Sequence, residues 1–136
     1  MNVPFHLSGE PLLAQGTNLV ERLLVRAWSE EVDDLVVEPT DEGYRILHSH
    51  ADALTAIEVQ RGPHTDYERI RNELKAAGNL AEAVCDVRQR GSFPLLLGAS
   101  RVGDVQMMLD PGSKGAWIRL SFNWADSKKP AFAGQA

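Results

Sequence analysis

The chain has 136 residues, with 14 Lys+Arg against 19 Asp+Glu and a formal net charge of −5. That length fits one folded domain whose core needs no metal or disulfide staple, and 43% hydrophobic with 24% charged residues is an ordinary globular composition. The acidic balance excludes the Lys/Arg footprint of non-specific nucleic-acid binding, and a single cysteine, Cys85, excludes an internal disulfide and fits a reducing compartment.

Residues 1–16 are broken by Pro4, Gly9, Pro11 and Gly16 and read as a loose lead-in. The segment 17–124 reads as the folded domain. Its first element is an amphipathic helix over roughly Asn18 to Glu30, because Leu19, Val20, Leu23, Leu24, Ala27 and Trp28 recur at helical spacing and Asn18 with Glu21 has capping-box spacing. Leu35 to Glu38 reads as a strand stopping at Pro39, Thr40 to Gly43 as a turn, and Tyr44 to His50 as the returning strand. A further strand over Leu54–Val59 is expected to end at Gly62-Pro63. Thr65 then caps a second helix whose stripe is Tyr67, Ile70, Leu74 and Ala77, with Gly78 as a left-handed stop.

Leu80 to Val87 reads as a short helix or loop. Three strands follow, Phe93–Leu97, Val102–Leu109 and Ala116–Trp124, the last two joined by a turn over Asp110 to Gly115. Residues 125–136 are expected to be disordered. The order implies a single α+β domain: an antiparallel sheet of about six strands with two main helices packed on it. No apolar run approaches the ~20 residues that span a bilayer, and Met1 to His6 lacks the basic and apolar parts of a secretory leader. A cytoplasmic protein without direct membrane insertion is expected.

A helix, a short gap and then Asp34-Leu35-Val36-Val37-Glu38-Pro39 resemble the "SDIHIEP" segment of type II secretion and type IV pilus assembly ATPases, which opens the small domain before their RecA-like motor. Gly43, the strand Tyr44–His50, Ala51-Asp52-Ala53-Leu54 and Asn72-Glu73-Leu74-Lys75 follow in the family's order. Arg88-Gln89-Arg90-Gly91-Ser92 keeps only Gln and Gly of the "PQDGR" turn, and Gly115-Ala116-Trp117-Ile118-Arg119-Leu120 echoes its closing strand. The resemblance runs from about Asn18 to Phe122. It implies a PAS-like layout and a non-enzymatic, cytoplasmic domain that docks on a protein of such machinery, with homo-oligomerisation as a further expectation and no cofactor. The family's nucleotide-contacting arginines correspond to Leu47, Ser49 and Met108, which cannot supply planar cationic donors to phosphate. Arg45 is the arginine that remains on the first of these strands. No P-loop occurs, since Gly112-Ser113-Lys114-Gly115 lacks its framing residues.

Beside the resemblance stand candidate sites read from the residues themselves. His48, His50 and Asp52 alternate, so on a continuous strand they share one face and offer three zinc-type ligands, against the plainer readings of a solvated strand face or of an Asp52 that belongs to the turn and breaks the register. They carry the alternative reading, a metal-dependent or small-ligand domain. Cys85 has no nearby activating group in sequence and reads as a buried thiol. Trp117 and Trp124 are separated by an odd number of positions, so one of them faces away from the core. It is either an interface anchor or is covered by the tail. Met107 and Met108 likewise split between faces, which makes Met108, with Arg45, a candidate interaction residue.

Overall fold

A computed structural model describes residues 5–7, 19–50, 55–81, 84, 86–97 and 99–125. Helix α1 (Leu19–Ser29) forms where the apolar stripe recurs, and it buries Leu19, Val20, Leu23, Leu24 and Ala27. Fully burying one such aliphatic side chain is worth about 1.5–3 kcal/mol. The chain leaves α1 through Glu31, at φ 50, whose neighbour Val32 returns its N–H to the Ala27 carbonyl at 3.0 Å. Strands β2 (Asp34–Thr40) and β3 (Gly43–Ser49) then form a hairpin around Asp41-Glu42, and β4 (Ile57–Pro63) returns along β3. Helix α2 (His64–Ala77) follows β4 directly. Strands β5 (Gln89–Leu97), β6 (Ser100–Asp110) and β7 (Trp117–Trp124) complete an antiparallel set of six.

This is the expected α+β arrangement, with one addition. A seventh strand, β1 (Phe5–Leu7), lies within the stretch expected to be a loose lead-in and pairs parallel with Leu95–Leu97 at the end of β5. The sheet order is β1-β5-β6-β7-β2-β3-β4, so β7 pairs with β2 at the centre and closes the sequence-distant halves on each other. Both helices lie on one face. Beneath them sit Leu35, Val37, Tyr44, Ile46, Phe93, Leu95, Val105, Met107, Leu109, Ile118 and Leu120, which with the helical stripes form one core. Strand alternation leaves the opposite face of the sheet without a covering element among the described residues.

Several boundaries differ from expectation, each for a physical reason. β2 runs through Pro39 because β7 pairs only with Asp34–Val37, so the later residues of β2 lie where an absent N–H is tolerated. β4 starts at Ile57 and passes through Gly62-Pro63, which a sheet edge permits, with a bulge that shifts the register between Ile46 and Leu47. Thr65 does not cap α2. The N-cap is Pro63, with no side-chain cap bond, and Thr65 lies inside the helix. Gly78 is not left-handed, at φ −87; Asn79, at φ 58, takes that conformation. A Cβ at Gly78 would stand 2.5 Å from the Met107 methyl, the end of a flexible side chain, and 3.6 Å from the Gly91 Cα of β5. β5 and β6 are both longer than expected, and β7 begins at Trp117. Leu80, Ala81, Val84 and 86–88 carry no helix or strand, whereas Cys85, Leu54 and 126–136 lie outside the described residues.

Candidate site on the uncovered sheet face

The strand registers arrange the uncovered face into rows running across the sheet. One row pairs Arg90 of β5 with Met108 of β6, Met108 with Arg119 of β7, Arg119 with Val36 of β2, Val36 with Leu47 of β3, and Leu47 with Glu58 of β4. On one side of it, Asp110 stands opposite Trp117 and Glu38 opposite Arg45. On the other side, Gln106, Ser121, Asp34 and Ser49 follow one another across the strands. The middle row is therefore apolar at Met108 and again at Val36 and Leu47, with Arg119 between them and Arg90 and Glu58 at its ends. A concavity of about 420 Å³ opens here, lined by Val36, Leu47, Met108, Trp117 and Arg119 among others.

The flanking polar groups are satisfied within the face. Arg45 reaches Glu38 at 2.6 Å and Glu58 at 3.4 Å, and Glu58 also takes Arg61 at 2.7 Å. The Arg61 hydrogen bond is the main reason that the Glu58 carboxyl is held below its ordinary value. Arg88 pairs with Asp110, Arg101 with Asp104 at 3.5 Å, and the Ser121 hydroxyl donates to Asp34 at 2.6 Å. Exposed pairs of this kind contribute at most about 1 kcal/mol, so they fix side-chain positions more than they stabilise the fold. Arg90 and Arg119 are exposed and form no ion pair among the described residues.

The candidate interaction residues separate by face. Trp117 is 44% exposed on the uncovered side, where Met108 and Arg45 also lie. Trp124 is on the helix side. Its ring stacks on Phe122 at 4.7 Å between centroids, and its indole N–H donates to the Val32 carbonyl at 3.0 Å. Met107, unlike Met108, is buried in the core.

His48 and His50 do not share one strand. β3 ends at Ser49, so His50 lies beyond the strand, and Asp52 is outside the described residues. His48 continues the inward series Tyr44, Ile46 and is 4% exposed, so the solvated reading does not hold for it either. Its Nδ1 stands 3.4 Å from a Glu30 carboxylate oxygen without making a hydrogen bond, while His50 Nε2 lies 3.3 Å from the Glu30 carbonyl oxygen. Burial pushes the His48 imidazole below the usual histidine value, with the Glu30 carboxylate opposing the shift. Among the described residues, no group of three or more His, Cys, Asp or Glu is placed to hold a metal ion, and no helix is long and apolar enough to cross a membrane.

Arg90, Arg119 and Val36 were not singled out in the sequence, although one pairing was accessible: a hairpin turn centred between Ser113 and Lys114 sets Met108 opposite Arg119. No protein-family model matches the chain, and no curated protein matches it.

Proposed function

We propose that this chain is a non-enzymatic, cytoplasmic interaction domain of the PAS-like kind that precedes the motor in type II secretion and type IV pilus assembly ATPases. It docks on such an ATPase, or on a protein of the same machinery, through its uncovered sheet face. The observation that carries the reading is the apolar side chains Val36, Leu47 and Met108 with the outward Trp117 beside them, on a face that no helix covers among the described residues. Apolar side chains on an uncovered face, here Val36 and Leu47 on adjacent strands and Met108 across Arg119, are a common signature of a docking surface, and an aromatic at their border supplies an anchor. Under the resemblance, Leu47 and Met108 replace nucleotide-contacting arginines. The substitution exchanges phosphate recognition for apolar contact at the same place on the sheet.

The test is co-elution of the full chain with a secretion or pilus ATPase of its own organism, compared with Leu47→Lys and Met108→Lys. Co-elution that both changes abolish, with the thermal midpoint retained, supports the reading. Co-elution that neither change affects, or none with any such protein, contradicts it.

A further inference from the structure

Among the described residues, two cations on the docking face form no ion pair. Arg90 and Arg119 each stand opposite Met108 in the strand register, one on either side, so their backbones are two strand spacings apart, about 10 Å. Together with Met108, Gln106 and Ser121 they line a second, smaller concavity of about 160 Å³. Every other arginine on this face is already matched: Arg45 with Glu38 and Glu58, Arg61 with Glu58, Arg88 with Asp110, and Arg101 with Asp104. The face's carboxylates are occupied by the same pairs, and Asp34 accepts from Ser121. In a chain of net charge −5, this leaves a local cationic excess around a thioether.

We propose that the occupant of this face is an acidic, amphipathic segment of the partner protein, presenting two carboxylates about 10 Å apart on either side of an apolar side chain. Arg90 and Arg119 take the carboxylates, with the planar, permanently charged geometry that suits them. Met108, between the two arginines, takes the apolar side chain, and Val36 and Leu47 beyond Arg119 extend the apolar contact. Residues seven apart on a helix have the required separation, and those between them at helical spacing fall on the same side. A second copy of this chain fits less well, because the face's own carboxylates are engaged. A nucleic acid fits less well because two cations are too few for a polyanion. The proposal rests on the docking reading above and names the chemistry of the partner.

The probe is a labelled helical peptide with Glu at two positions seven apart and Leu between them, alongside its Glu→Gln counterpart, each titrated into the full chain by fluorescence anisotropy. The glutamate peptide is expected to bind about tenfold or more tightly than the glutamine peptide, and Arg90→Glu with Arg119→Glu to erase that preference. Arg90→Gln with Arg119→Gln serves if the reversed pair does not fold. Equal binding of both peptides, preference surviving in the double variant, or no binding of the glutamate peptide overturns the acidic partner. Peptide binding that ignores charge but is lost in Leu47→Lys overturns the acidic partner alone and leaves the docking face in place. Binding insensitive to Leu47→Lys as well removes the docking face too.

Discussion

Replacing Met107 by alanine removes three heavy atoms, about three methylene equivalents, from a side chain that is 2% exposed and lies against Gly78 at the end of α2. At about 0.8 kcal/mol for each equivalent the transfer loss is about 2.4 kcal/mol. A residual cavity between α2 and β6 raises the total to about 3–4 kcal/mol, inside the range measured for buried Met→Ala changes. Met108, the next residue, projects from the uncovered face and is only half-buried there. Its replacement by alanine leaves no enclosed cavity and costs under about 1 kcal/mol. With a urea slope of about 2 kcal/mol/M, Met107→Ala lowers the unfolding midpoint by about 1.5–2 M and Met108→Ala by less than about 0.5 M. Urea titration followed by tryptophan fluorescence reads both. Equal shifts, or a larger one for Met108, would refute the division of the sheet into a packed face and an open one.

Other expectations follow from individual contacts. Because burial lowers the His48 pKa from its ordinary 6.5, the unfolded chain takes up a proton at a higher pH than the folded chain. His48 therefore contributes full stability above about pH 6.5 and progressively less as the pH falls below it; urea midpoints from pH 8 to pH 5 should decline less steeply in His48→Gln. Gly91→Ala puts a Cβ 2.9 Å from the Gly78 carbonyl oxygen and should cost about 1–3 kcal/mol through a forced separation of α2 from β5, read as a lower thermal midpoint. Tyr67→Phe removes the hydroxyl that donates to the Ala116 carbonyl at 2.8 Å and should cost about 1 kcal/mol, whereas disrupting the exposed Arg88–Asp110 pair by Arg88→Ala should cost less than that, both measurable in urea.

The alternation Leu35, Val37 and Tyr44, Ile46 marks the inner face of β2 and β3, and the same period carries His48 inward, whereas the sequence reading sets it on a ligand-bearing or solvated face. Carried on to His50, the rule fails, because β3 stops at Ser49. The odd separation of Trp117 from Trp124 gave their opposite faces but not which faced out. That choice depends on Phe122 and Val32, which meet Trp124 only after β7 docks beside β2. β1 carried no local signal, since three residues cannot establish a period and their partner, Leu95–Leu97, lies far along the chain. Pro39 and Pro63 were read as terminators, yet each sits where the sheet leaves a backbone position unpaired, a property of topology rather than of the residue. The Arg90–Met108–Arg119 juxtaposition joins three strands, so only the assembled register creates it.

The docking reading is tested most directly by the methionine methyl resonances of the full chain, recorded before and after addition of a secretion or pilus ATPase from its own organism. Met107 and Met108 are adjacent in sequence but lie on opposite faces of β6. The Met108 methyl should shift on addition while that of Met107 stays in place. A Met108 methyl that does not move, with every candidate ATPase present in excess, would contradict docking through the uncovered face.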